Sequence, residues 1–150
     1  MVEALDVEKA ERLSRRRARI FFVQGLIFMI WQTTFYTSPT LEPLRTVDTV
    51  KISAWLVWAV ILLFLLATGG FLFRGRGLRA LLDDELTRRN RTRAYVLGFW
   101  MAMFAALAVY VIGMFEVMTG REAVHIILSI AIGSAIFSFG INERRSANDR

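Results

Sequence analysis

Four long apolar runs constrain the fold of this chain more than any other feature of its sequence. They contain 17 to 22 residues each, and none includes Asp, Glu, Lys or Arg. A helix needs roughly 20 apolar residues to cross a bilayer core of about 30 Å, and none of the runs has the polar face of a soluble amphipathic helix. The sequence therefore predicts an all-α membrane protein with four transmembrane helices. The predicted spans are Ile20–Tyr36, Ile52–Phe73, Ala94–Phe115 and Ala123–Ile141.

A polar stretch at residues 74–93, RGRGLRALLDDELTRRNRTR, separates the first two runs from the last two. It joins one pair of hydrophobic spans to another, as a loop between two membrane hairpins does. We therefore expect a single transmembrane domain over residues 1–150, built from two antiparallel hairpins. A cytoplasmic helical arm at residues 2–19 and a cytoplasmic loop at residues 74–93 complete the predicted domain.

The basic residues are distributed very unevenly between the two sides of the predicted spans. Sixteen of the 19 Lys and Arg residues lie before the first run, in the central stretch or after the last run, and only Arg45, Lys51 and Arg121 lie elsewhere. Short cytoplasmic segments of membrane proteins carry such an excess of Lys and Arg. We therefore expect both termini to be cytoplasmic.

The net charge of +6 would suggest nucleic acid as the partner of a soluble protein. Here the basic residues flank predicted spans, where each Lys or Arg near an anionic leaflet contributes about 1 kcal/mol to membrane binding. The expected partners are therefore the lipid bilayer and its anionic lipids, and not nucleic acid. The predicted surface for anionic lipids or a protein partner consists of Arg15, Arg16, Arg17, Arg88, Arg89 and Arg91.

The start of the chain predicts that the first span is retained. The first 19 residues are densely charged, and no small-x-small cleavage site follows the first apolar run. Seventeen Arg against two Lys is typical of a GC-rich bacterial genome, so the predicted location is the bacterial inner (plasma) membrane, with several spans. The sequence has no cysteine, which excludes disulfides and thiolate metal sites.

The charged arm at residues 2–19 is predicted to be helical. Glu8 and Arg12, and likewise Glu11 and Arg15, are four residues apart with the acid first, a spacing that stabilises a helix. Two interpretations of this arm are open. It is either a solvated segment that sets the orientation of the first span, or a docking surface for a partner.

The central stretch runs into the third span through DDELTRRNRTRAY at residues 83–95. This DDELTRxN pattern resembles a juxtamembrane motif of uncharacterised small four-span bacterial membrane proteins. The resemblance covers about a tenth of the chain. It implies a four-span membrane architecture and brings no known activity with it.

Two kinds of residue are predicted to form contacts between helices. Gln24 and Gln32 lie in the first span, where an unsatisfied amide costs a few kcal/mol, so each is expected to face another helix. In the fourth span, Ser129, Gly133 and Ser134 are small enough to let helix backbones approach closely. This small face contacts either a second copy of the chain, or span one or three of the same chain, where it would meet one of the glutamines.

Glu116 and His125 are the candidate ionisable pair, because a short turn brings the outer ends of spans three and four together. An imidazole titrates near neutral pH, so the pair is either proton-sensitive or a structural polar pair that orients the second hairpin. A single histidine supplies at most one metal ligand, and the sequence predicts neither a metal nor a cofactor.

The sequence contains no nucleophile–base arrangement, phosphate-binding loop or metal-spaced cluster, and no ionisable residue deep in a predicted span. We therefore expect a protein that is not an enzyme. The leading hypothesis is an integral membrane interaction protein, either a homo-oligomer or an accessory subunit of another membrane protein. The alternative is a small oligomeric channel or transporter lined by Ser, Thr and Gln side chains.

Overall fold

The computed structural model describes residues 2–36, 46–70 and 85–148, and most of them are helical. The helices are α1 (Val2–Tyr36), α2 (Thr46–Thr68), α3 (Glu85–Ile112) and α4 (Gly120–Asn148). Three of them contain stretches long and apolar enough to cross a membrane, namely Val50–Thr68, Thr87–Ile112 and Gly120–Ser146. The prediction of an all-helical membrane protein with several spans is confirmed at this level.

Helix α4 lies at the centre of the bundle. It packs extensively along α1 and α3 and more sparsely against α2. Arg17 of α1 meets Glu143 of α4 at one end of the bundle, and Gln32 of α1 meets His125 of α4 at the other, so the two helices are antiparallel. We call these the Arg17 end and the His125 end.

Successive helices along the chain are also antiparallel. Trp55, near the start of α2, packs on His125, whereas Gly69, just after α2, contacts Arg17. Asn90, near the start of α3, bonds to Ser146, near the end of α4. The first turns of α3 and the last turns of α2 and α4 therefore lie together at the Arg17 end.

Glycines let α4 approach its neighbours closely. A Cβ at Gly140 would lie 2.6 Å from the backbone nitrogen of Phe22 in α1, and a Cβ at Gly98 of α3 would lie 2.9 Å from the side chain of Ala135 in α4. Gly133 lies directly beneath the side chain of Met29 in α1. Of the two interpretations of the small face on α4, the structure shows the contact within the chain.

Helix α2 contributes one narrow stripe to the core. Trp55, Ala59, Leu62 and Leu66 are buried, at the spacing of one helix face, while most of its other side chains are exposed. Trp55 is 6% exposed and belongs to the hydrophobic core. Its ring packs against the imidazole of His125 inside the bundle, with ring centroids 4.3 Å apart.

Helix α2 ends at Thr68, five residues before the predicted end of the second span at Phe73. Gly69 and Gly70 have φ values of 61° and 77°, a backbone region that favours glycine. Their amides bond to the carbonyls of Leu66 and Leu65, at 3.2 and 2.9 Å. This pattern is a Schellman motif, and it explains why the helix stops although apolar residues follow in the sequence.

The connection between α3 and α4 also departs slightly from the prediction. Helix α3 ends at Ile112, short of the predicted Phe115, because Gly113 is a poor helix former and the last turn tightens. Helix α4 then begins with a capping box. The hydroxyl of Thr119 accepts a bond from the amide of Glu122 at 3.3 Å, and the Glu122 carboxylate accepts one from the Thr119 amide at 2.8 Å.

Replacing Gly140 with alanine should destabilise the protein by about 1–3 kcal/mol, because its Cβ would collide with the backbone of α1. Gly133→Ala should cost less, since the flexible Met29 side chain can move aside. Gly120→Ala is the control, because a Cβ there meets nothing within 4 Å. Thermal unfolding in detergent measures the differences, and equal stability of the Gly140 and Gly120 variants would contradict the close crossing.

Candidate functional site

A buried polar network lies at the Arg17 end and is centred on an ion pair between α1 and α4. Arg17 is 6% exposed and Glu143 is 3% exposed, and their side chains pair directly through Nη2 and Oε2. Nη2 of Arg17 also donates to Oγ1 of Thr87 in α3 at 3.1 Å. Nη1 donates to the carbonyl of Gly69, just after α2, at 3.5 Å. The Arg17 guanidinium of α1 thus contacts groups from the other three helical segments.

Asn90 extends the network along α3. Its amide nitrogen donates to Oε1 of Glu143 at 3.2 Å and to the hydroxyl of Ser146 at 3.1 Å. Arg91 lies beside it and donates to the carbonyl of Ala67 at 3.0 Å. Both carboxylate oxygens of Glu143 are therefore occupied by donors from neighbouring helices.

The turn after α2 places its carbonyls where the arginines can reach them. The positive φ values of Gly69 and Gly70 end the helix and leave its last carbonyls without helical partners. These carbonyls form the partially negative end of the helix dipole, which favours a nearby cation. Gly70 is also packed tightly, since a Cβ there would lie 3.0 Å from the ring of Phe21.

The electrostatics of this network make it a structural element. Moving a charged side chain out of water costs several kcal/mol, and the cost is offset only when the charge is paired and hydrogen-bonded. Arg17 and Glu143 meet that condition together with Thr87 and Asn90. The two charges are paired with each other, so the arrangement joins helices and provides neither a nucleophile nor a general base.

A smaller polar cluster lies at the His125 end. Nε2 of His125 and Oε1 of Gln32 are 2.8 Å apart, and the Gln32 amide donates to the carbonyl of Phe28 at 3.2 Å. The hydrogen bond seen for Nε2 of His125 therefore goes to α1, not to Glu116, which is exposed in the connection before α4. Because α1 packs directly against α4, it brings Gln32 to the imidazole, and the pairing of Glu116 with His125 stays a prediction.

The predicted helix-contact residues occupy different environments. Ser129 is buried, Ser134 bonds to the carbonyl of Ala131 in its own helix at 3.1 Å, and Gly133 faces Met29. Gln32 contacts α4 at His125 and not at the predicted small face of Ser129, Gly133 and Ser134. Gln24 lies instead at a groove between α1 and α2.

The predicted basic surface is only partly a surface. Arg17 is buried in the network and Arg91 is half-buried against the end of α2, so both differ from the expectation. The reason is the orientation of each helix about its own axis, which places these two side chains on the faces that meet other helices. The exposed members of the predicted surface are Arg15, Arg16, Arg88 and Arg89.

Thr87, Asn90 and Glu143 were not singled out from the sequence, although the pattern on α3 contains a signal. Thr87 and Asn90 begin a series of buried residues that recur at intervals of three, four or seven positions along one face of that helix. The series continues with Ala94, Gly98, Ala105 and Val109. Polar residues that continue a stripe of small residues indicate a polar contact at the same helix interface.

Within the described ranges, no group of three or more His, Asp or Glu residues is arranged to hold a metal ion. A scan against protein-family models, a search of curated proteins and a search of solved structures each find no match to this chain.

Replacing Glu143 with glutamine should destabilise the protein by about 3–5 kcal/mol, because the Arg17 charge would stay buried without its counter-ion. Replacing Arg17 with Met and Glu143 with Leu together should restore most of that loss, since apolar residues of similar volume need no partner. Denaturation of the purified variants in mixed detergent measures these energies.

Glu85→Gln is the matched control, because that carboxylate is exposed at the start of α3. It should change stability by less than about 0.5 kcal/mol. A Glu143→Gln variant as stable as this control would show that the ion pair does not hold the bundle together.

Proposed function

We propose that this protein is a non-enzymatic membrane interaction protein, an accessory subunit that contacts another membrane protein through the outward face of α3. The main support for the proposal is the exposure of Trp100, whose side chain is 54% exposed on that face. Its ring packs edge-on against Phe99 and lies beside Phe104, with centroids 5.9 and 6.4 Å away. These three residues, which we call the α3 aromatic patch, form a continuous exposed surface.

The depth of Trp100 distinguishes it from an interfacial anchor. It lies seven residues beyond Arg93 along α3, a rise of about 10 Å. Tryptophan is enriched at the membrane–water interface, where its N–H reaches polar groups. Hydrocarbon offers no acceptor for the indole N–H, and an unsatisfied polar group there costs several kcal/mol. A partner helix that presents a carbonyl or hydroxyl oxygen would satisfy it.

The use of polar side chains inside the bundle favours a subunit over a channel. A channel built from several copies needs polar residues along a shared path. Here Gln32 is paired with His125, and Arg17 is paired with Glu143, within one chain. The small face of α4 likewise packs under Met29 of the same chain, which weakens the case for a homo-oligomer held by that face.

The proposal includes the membrane topology. We take the apolar part of α1, Ile20–Tyr36, as a fourth span, with the Arg17 end in the cytoplasm of a bacterial cell and the bundle in the inner membrane. The excess of basic residues next to this end supports the orientation. In this arrangement α1 extends beyond Arg17 by 15 residues, about 22 Å of helix, toward the cytoplasm.

Single-cysteine labelling tests the topology, and the absence of native cysteine makes every introduced thiol unique. A membrane-impermeant maleimide added to intact cells should modify Lys51→Cys and should modify Arg93→Cys only after the membrane is opened. Both positions are exposed, so burial does not limit the reaction. Modification of Arg93→Cys in sealed cells would contradict the proposed orientation, because it would place the Arg17 end outside the cell.

Site-specific photocrosslinking tests the contact. Benzoylphenylalanine in place of Phe104 should give one discrete adduct with a different membrane protein, whereas the same probe at Phe64, exposed on α2, should not. Trp100→Phe, which keeps a ring but removes the N–H, should reduce the adduct about fivefold, the effect of one lost interhelical hydrogen bond.

Three outcomes of this experiment would contradict the proposal. An adduct at twice the mass of the chain would indicate a homo-oligomer. Equal crosslinking from Phe104 and Phe64 would indicate random encounter. An equal adduct yield with and without Trp100→Phe would show that the indole N–H does not determine the contact.

A further inference from the structure

A groove between α1 and α2 opens beside the Arg17 network. It has a volume of about 250 Å³. Most of its lining is apolar, while the guanidinium groups of Arg16 and Arg17 and the amide of Gln24 mark its polar positions. The lining residues that matter here are Arg16, Ile20, Phe21, Gln24, Leu62 and Leu65.

The α1 side of the groove presents a guanidinium, an apolar side chain and an amide on successive turns of the helix. Arg16 lies toward the Arg17 end, Ile20 follows one turn later and Gln24 two turns later. Eight residues span about 12 Å. Side chains on a helix lean toward its N-terminus, so the Gln24 amide is displaced back toward Arg16.

The charge at the mouth of the groove is available for an anion. The Arg17 charge is matched by Glu143, whereas Arg16 is exposed and has no carboxylate partner among the described residues. Within the same part of the chain, no hydrogen bond occupies the Gln24 amide. A guanidinium binds phosphate oxygens in a bidentate manner, and an amide can donate to an ester carbonyl.

We propose that this groove binds one anionic phospholipid from the surrounding leaflet. The phosphate lies on Arg16, the Gln24 amide donates to an ester carbonyl of the glycerol backbone, and one acyl chain lies along Ile20, Leu62 and Leu65. Ile20 is exposed, so the groove is open sideways to a lipid in the bilayer. The site is separate from the α3 aromatic patch and does not depend on a protein partner.

Native mass spectrometry of the purified full chain, titrated with phosphatidylglycerol or phosphatidylcholine, tests the site. The wild type should retain one phosphatidylglycerol more tightly than phosphatidylcholine. Arg16→Gln should weaken binding of phosphatidylglycerol about fivefold, the effect of one basic residue at an anionic surface. Leu65→Trp should abolish retention by filling the groove, with the helical circular dichroism unchanged.

Arg93→Gln is the matched control, since Arg93 is exposed on α3 and does not line the groove. It should leave the retained lipid unchanged. Equal retention of the two lipids by the wild type, or equal effects of the Arg16 and Arg93 substitutions, would overturn the proposal. Arg16 is a surface residue, so this comparison stays valid even if the Leu65 variant fails to fold.

Discussion

The ion pair between Arg17 and Glu143 is the interaction on which the rest of the bundle depends. Both side chains are buried, and both Nη atoms of Arg17 and both carboxylate oxygens of Glu143 bond to groups from other helical segments. A buried charge that loses its partner is strongly destabilising, so only one relative position of the helices satisfies both charges together. The network therefore fixes the depth and rotation of four helical segments at one end of the bundle.

Close packing extends this constraint along α4. Glycines at positions 133 and 140 let α1 lie against it, and the contact of Gln32 with His125 secures the opposite end. Residues 125 and 143 are separated by about 27 Å of helix, so α1 and α4 are held at two distant levels. The open surfaces include the outer face of α3, where we propose a protein partner, and the groove between α1 and α2, where we propose a lipid.

The sequence predicts the helices well because their apolar runs exclude charge throughout, a pattern that needs no knowledge of neighbours. It also shows the capping box of Thr119 and Glu122, which is local. It does not show that Arg17 is buried, because counting basic residues by segment ignores the face of the helix on which each lies. Likewise the partner of His125 depends on how α1 packs against α4, and local spacing favoured Glu116 instead.

Hydrogen–deuterium exchange on the Glu143→Gln variant is the most direct test of the central claim. If one network joins all four segments, amide exchange should become faster in four regions at once. These regions are the residues around Arg17, residues 67–70 at the end of α2, residues 87–91 of α3 and the residues around Glu143. The His125 end should change less, because its contacts are separate. Faster exchange confined to the last turns of α4 would contradict the claim, since it would show that Glu143 stabilises only its own helix.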